Sequence, residues 1–201
     1  MSSSQFTEGD LVFCFPSHWG VRKYDQQRFY RHMGGMGLKG VDFIAIDPHE
    51  KGHLYLIEVK NYRTRYREGL VFEAPLKEKG ELADIVTTKY KHTMRAIRAI
   101  HLFYLRKWWY QLTRQLYLDS KRLQFDVVFW TQAYQLAKQA KRHSFVLWLE
   151  TEEPAKDYRV ELLTEIRKRL PLPINAAIAE QSNSSLPGIE VVNKKNKATK
   201  D

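Results

Sequence analysis

Gly-Val-Asp-Phe-Ile-Ala-Ile-Asp-Pro-His-Glu-Lys-Gly-His-Leu-Tyr-Leu-Ile-Glu-Val-Lys-Asn, residues 40–61, sets two apolar runs on either side of a turn-forming segment. Val41 to Ile46 and Leu54 to Val59 are rich in β-branched and aromatic residues, and Pro48 and Gly52 lie between them, which predicts a β-hairpin. With the turn centred near Glu50, antiparallel pairing puts Asp42 opposite Glu58. Side chains alternate along a strand, so Leu54, Leu56, Glu58 and Lys60 share one face, and Tyr55, Ile57, Val59 and Asn61 the other. A face that begins apolar therefore ends charged. Two facing carboxylates repel, and burying either one unpaired is costly, so a cation is expected between them. Mg²⁺, or Mn²⁺ in its place, suits that position, with Asp42, Glu58 and the Val59 carbonyl as oxygen ligands and Lys60 alongside.

An Asp at the start of one strand followed by Glu-x-Lys on the next resembles the signature of the PD-(D/E)XK nuclease superfamily, which includes restriction endonucleases and archaeal Holliday-junction resolvases. The resemblance implies that Asp42 and Glu58 bind Mg²⁺, that Lys60 positions or activates the attacking water, and that the chemistry is metal-assisted phosphodiester hydrolysis. It implies an α/β fold with a restriction-endonuclease-like αβββαβ core, a mixed central sheet flanked by helices. The chain departs from the pattern at Val41, where Pro often precedes the Asp. Many members also carry an acid on the helix before the first core strand. Asp25 is the candidate additional acid here, with a solvated helix position as its other reading.

The 201 residues suit one domain, read as residues 1–180 with a core of about 17–130, an extension over 131–180 and a flexible basic tail over 181–201. A formal charge of +10 and a pI near 9.6 point to a polyanionic partner, DNA under the resemblance above. The single cysteine, Cys14, excludes an intramolecular disulfide and suits a reducing compartment. No apolar run reaches the ~20 residues that span a bilayer, and the first residues lack a signal-peptide pattern, so a soluble cytoplasmic protein with no membrane partner is expected.

Working outward from the hairpin, Met1 to Asp10 reads as polar and frayed, Leu11 to Phe15 as a short strand, and Ser17 to Met33 as a helix. Gly34, Gly35, Gly37 and Gly40 with Lys39 lack the strand and terminal Gly-Lys-Ser/Thr of a phosphate loop, and read as a turn leading into Asp42. Leu70 to Ala74 reads as a third strand, Glu81 to Tyr117 as one long helix with the stripe Met94, Ile97, His101, Tyr104, Trp108 and Leu112, and Phe125 to Trp130 as a buried strand. Gln135 to Arg142 reads as a short helix, Phe145 to Leu149 as a strand, Val160 to Leu170 as a helix and Ile189 to Val192 as a brief strand.

Nucleic-acid contacts are expected from Lys39, from Arg63 and Arg65 in the Arg- and Tyr-interleaved segment after Lys60, and from the row Lys91, Arg95 and Arg98. The function expected is a Mg²⁺-dependent DNA nuclease, with homodimerisation as one way to cut both strands. A non-catalytic nucleic-acid-binding module on the same fold is the main alternative. A zinc peptidase through His49, Glu50 and His53 is a weaker one, since its His-Glu-x-x-His works only on a helix, and Gly52 and the following strand disfavour one.

Overall fold

The computed structural model describes residues 4–27, 29, 39–67, 70–72, 74–120, 122–152, 156–171, 173–181, 186 and 188–194. In chain order the strands are β1 (Ser4–Glu8), β2 (Leu11–Phe15), β3 (Gly20–Lys23), β4 (Phe43–Asp47), β5 (His53–Asn61), β6 (Arg65–Arg67), β7 (Leu70–Phe72), β8 (His143–Glu150), β9 (Asn175–Ala179) and β10 (Glu190–Asn193). The helices are α1 (Lys79–Leu105), α2 (Trp108–Asp119), α3 (Asp126–Ala137) and α4 (Lys156–Arg169).

The hairpin forms as its sequence dictates. β4 and β5 pair antiparallel from Asp47↔His53 to Phe43↔Ile57, so the next step brings Asp42 level with Glu58. The turn closes with the Gly52 N–H donating to the His49 carbonyl at 2.9 Å, and Glu50 and Gly52 take positive φ of 54° and 79°. Around this hairpin a five-stranded mixed sheet is ordered β3-β4-β5-β8-β9, with β4 antiparallel to both β3 and β5, and β5, β8 and β9 parallel. The two parallel connections run through helices, as parallel pairing requires.

Strand alternation divides the core in two. Ile44, Ile46, Leu54, Leu56, Phe145, Leu147 and Leu149 pack with Leu82, Val86, Phe129 and Leu162 of the helices. Phe43, Ala45, Ile57, Val59, Val146 and Trp148 face the other way, onto Leu11, Phe13 and Phe15. That second layer is the antiparallel sheet β1-β2-β10. Both faces of the central sheet are thus covered, which is why β8 is buried along its whole length.

Several sequence readings are corrected. Residues 4–8, expected to fray, pair with β2 as β1, and the brief strand read over Ile189 to Val192 forms as β10 on the same strand, which anchors that part of the expected flexible tail. Ile189 and Val191 are buried there, while residues 195–201 lie outside the described set. Over Ser17 to Gln27 the helix read through Met33 is replaced by edge strand β3 and a 3-10 turn at Tyr24–Gln26, and apart from Phe29, which is helical, the rest of that reading lies outside the described residues. Gly20 permits that strand, because a Cβ on it would lie 2.6 Å from Leu123 Cβ.

The helix expected through Tyr117 breaks at Lys107, whose backbone is extended. α2 folds back so that the Tyr110 hydroxyl meets Thr131 Oγ1 at 2.8 Å, which leaves Trp108 and Leu112 of the expected apolar stripe exposed. Phe125 to Trp130 is the first part of α3, not a strand. Its apolar run is buried from several directions at once, and a short run of that kind carries no period that separates strand from helix. β7 pairs with β6 alone, outside the central sheet, and β9 was not anticipated.

Gly40 shapes the approach to Asp42. A Cβ there would sit 2.3 Å from the ring of Tyr24, a residue held in place by its backbone N–H, which donates to the Asp42 carbonyl at 2.9 Å. Gly40→Ala is expected to lower stability by about 1–3 kcal/mol, the usual cost of overpacking, as measured by urea denaturation. A variant as stable as the parent would refute this close packing.

Candidate active site

Asp42, Glu58, Lys60 and Lys89 converge at the open end of the β4–β5 hairpin. Leu54 and Leu56 point into the helical layer, so the same alternation directs Glu58 and Lys60 to that side. Glu58 is fully buried. Its Oε1 lies 2.6 Å from Lys60 Nζ and 2.7 Å from Lys89 Nζ, while its Oε2 accepts from Lys89 at 3.0 Å. Lys89 Nζ is also 3.8 Å from Asp42 Oδ1. Asp42 Oδ2 accepts the Val59 N–H at 2.6 Å, which fixes the carboxylate against β5.

The cation expected between the two carboxylates is therefore supplied in part by the chain itself. Lys89 stands on α1, whose buried residues include Leu82, Val86, Thr93 and Ala96, and Thr93 Oγ1 ties the helix to the strand by accepting the Val41 N–H at 2.9 Å. Sequence reasoning missed Lys89. The available signal was a lysine on the inward stripe of a helix, a place where a long cation needs a buried partner.

Electrostatics follow from this crowding. Burial, and then the charge of Glu58, push the Asp42 carboxyl up to about 6, against the opposing pull of Lys89, the Val59 N–H and Lys60. Burial works to lower the Lys89 pKa, but Glu58 and Asp42 outweigh it and the net shift is upward. Two carboxylates form a hard oxygen donor set, and the burial and neighbouring charge that raise the Asp42 pKa are both costs that a bound divalent cation would offset. On that ground Asp42 and Glu58 fit Mg²⁺.

The other expected site residues are dispersed. Asp25 lies in the 3-10 turn, exposed and 3.8 Å from Lys23, outside the Asp42 cluster. Lys39 is exposed, and its backbone N–H donates to His92 Nδ1 at 3.2 Å. Arg63 turns inward: its guanidinium is 2.6 Å from the fully buried Glu150 and donates to Gln181. Arg65 belongs to β6, and its side chain lies outside the described set.

Lys91, Arg95 and Arg98 are exposed on α1, but at ~100° per residue they lie roughly 180–240° around the helix from Lys89. They face away from Asp42. Arg95 and Arg98 border a cleft of about 350 Å³ shared with Met94, Tyr134 and Lys138.

His49 and His53 do not share a helix. His49 is in the hairpin turn, while His53 begins β5 with its Nε2 2.8 Å from Ser144 Oγ. The geometry a helical His-Glu-x-x-His requires is absent. Comparison of the chain with protein-family models, with curated proteins and with solved structures finds no match. No helix among the described residues is long and apolar enough to cross a membrane.

Proposed function

We propose that this chain is a Mg²⁺-dependent nuclease that hydrolyses phosphodiester bonds of DNA, a member of the PD-(D/E)XK group with Asp42, Glu58 and Lys60 as its catalytic set. The observation that carries this reading is the meeting of two carboxylates and two ammonium groups at one strand end, with Glu58 fully buried and Asp42 raised to about 6. Three antiparallel strands, a helix and a parallel strand, β3-β4-β5, α1 and β8, give an element order that supports the restriction-endonuclease-like core.

Asp42 and Glu58 would hold Mg²⁺, with the Val59 carbonyl as a further oxygen. The bound ion would acidify a water and stabilise charge on the phosphoryl oxygens. Lys60, 2.6 Å from Glu58, is placed to orient that water and to offset the negative charge that develops on the phosphate. Lys89, 2.7 Å from Glu58 Oε1 and 3.8 Å from Asp42 Oδ1, lies between the two carboxylates and offsets their charge. Lys39 would contact the DNA backbone, which fixes register without reading sequence, whereas the exposed row Lys91, Arg95 and Arg98 faces away from this site.

A second reading has one specific observation in its favour. Lys60 and Lys89 already balance the two carboxylates, as a non-catalytic DNA-binding module would need. Incubating the protein with supercoiled plasmid and with labelled single-stranded, duplex and branched DNA, in Mg²⁺, Mn²⁺ or EDTA, separates the two. Cleavage is expected only with metal, and Lys60→Ala should slow it by about 10²-fold or more. Salt-sensitive binding without cleavage in any metal would select the binding module.

A further inference from the structure

At the closed end of the same hairpin lies a second cluster that the proposed chemistry does not use. His18, Asp47 and His49 bring their ligand atoms within 4.8 Å of one another, with both histidines exposed and the aspartate half-buried. His18 Nε2 is 3.8 Å from Asp47 Oδ1, and the two imidazole rings meet edge to face at 4.4 Å between centroids. We propose that His18, Asp47 and His49 form a binding site for a late first-row divalent metal, Zn²⁺ or a close relative, separate from the Asp42 and Glu58 site.

Ligand type sets the metal class. Two imidazoles and one carboxylate favour Zn²⁺, Co²⁺ or Ni²⁺ over Mg²⁺ and Ca²⁺, which take oxygen. Metal–ligand distances of about 2.0–2.2 Å put tetrahedral ligand atoms roughly 3.4 Å apart, so the observed spacing needs only rotation of two exposed rings. Their backbones are already held. Trp19 stacks on Tyr55 at 5.1 Å with planes 7° apart, and its N–H donates to the Pro16 carbonyl at 3.0 Å, which seats His18 beside the turn. Asp47 Oδ1 accepts the His49 N–H at 3.0 Å, which orients the carboxylate.

Three protein ligands leave a fourth position for water or an exogenous group. The two sites are distinct, because Asp42 and Asp47 lie at opposite ends of an extended segment, about 17 Å apart. The cluster also reassigns the sequence motif: His49 is a ligand with His18 and Asp47, while His53 pairs with Ser144.

Tag-free protein titrated with ZnCl₂ by calorimetry, and with CoCl₂ by visible absorption, tests the site. The expected result is saturable binding of one Zn²⁺ per chain in the micromolar range, undisturbed by excess Mg²⁺ and retained in Asp42→Asn and His53→Ala. His18→Ala and His49→Ala should each weaken it at least about tenfold, with circular dichroism reporting that both variants stay folded. Binding no tighter than millimolar, binding that survives His18→Ala combined with His49→Ala, or binding lost in His53→Ala would overturn the proposal. None of these outcomes depends on whether the protein cuts DNA.

Discussion

Asp42→Asn is expected to abolish metal-dependent cleavage, by at least about 10³-fold, and at the same time to stabilise the metal-free protein at neutral pH. The two effects share one cause. The Asp42 carboxyl is raised from 3.8 to about 6 by burial and by Glu58, so in the folded chain its charged form is disfavoured relative to the unfolded chain. Between about pH 4 and 6 the folded state binds more protons than the unfolded state. Stability therefore declines as pH rises through that window and stays reduced above it.

A shift of that size corresponds to about 2–3 kcal/mol at pH 7, which a neutral amide removes. Asn keeps an oxygen that can accept the Val59 N–H now bonded at 2.6 Å, so no hydrogen bond need be lost. Urea denaturation in EDTA, comparing parent and variant from pH 4 to 7.5, should show curves that agree at the acid end and separate above pH 5. A variant that is less stable at pH 7, or that follows the parent's pH slope, would show that Asp42 does not carry this strain.

Arg63→Ala should make the protein unfold more readily. Its partner Glu150 is fully buried and already committed, accepting from the Trp148 indole N–H at 2.8 Å and the Gln181 backbone N–H at 2.8 Å. Removing the guanidinium at 2.6 Å leaves a buried carboxylate short of a counter-charge. Breaking such a pair from one side costs about 3–5 kcal/mol when both members are buried, and Arg63 is a third exposed, so a loss of about 2–3 kcal/mol is expected.

Adding Glu150→Gln to Arg63→Ala should restore much of that loss, because the coupling between the two positions is electrostatic. Weaker DNA binding by the single variant at unchanged stability would instead return Arg63 to the phosphate-contacting role that its basic, aromatic neighbourhood suggested.

The contrast between Arg63 and Lys60 shows what was legible in the sequence. Asp42, Glu58 and Lys60 lie within one hairpin, where apolar alternation and turn residues fix both pairing and facing, and the register found is the one those residues dictate. β2 and the central part of β8 were legible for the same local reason. Lys89 was legible only as a lysine on the inward stripe of α1, since its meeting with Glu58 depends on how that helix docks across the sheet. The apolar run Val127 to Trp130 misled because burial on several sides erases periodicity. Arg63 misled because a cation beside a site looks the same in sequence whether it faces solvent or a buried acid.

β2 also joins two strands that lie far apart in sequence. Its partners are residues 4–8 on one edge and 190–193 on the other, so Cys14 lies opposite Glu190. During synthesis the central sheet can assemble with its helices, but the layer over Ile57, Val59 and Trp148 lacks β10 until residues 190–193 have been made. Closing a loop of that length is entropically slow, and until it closes an apolar sheet surface stays open to solvent. The helical side, which holds Asp42, Glu58 and Lys89, is thus the part that can mature early, and the opposite side is where a nascent or truncated chain would be vulnerable to aggregation.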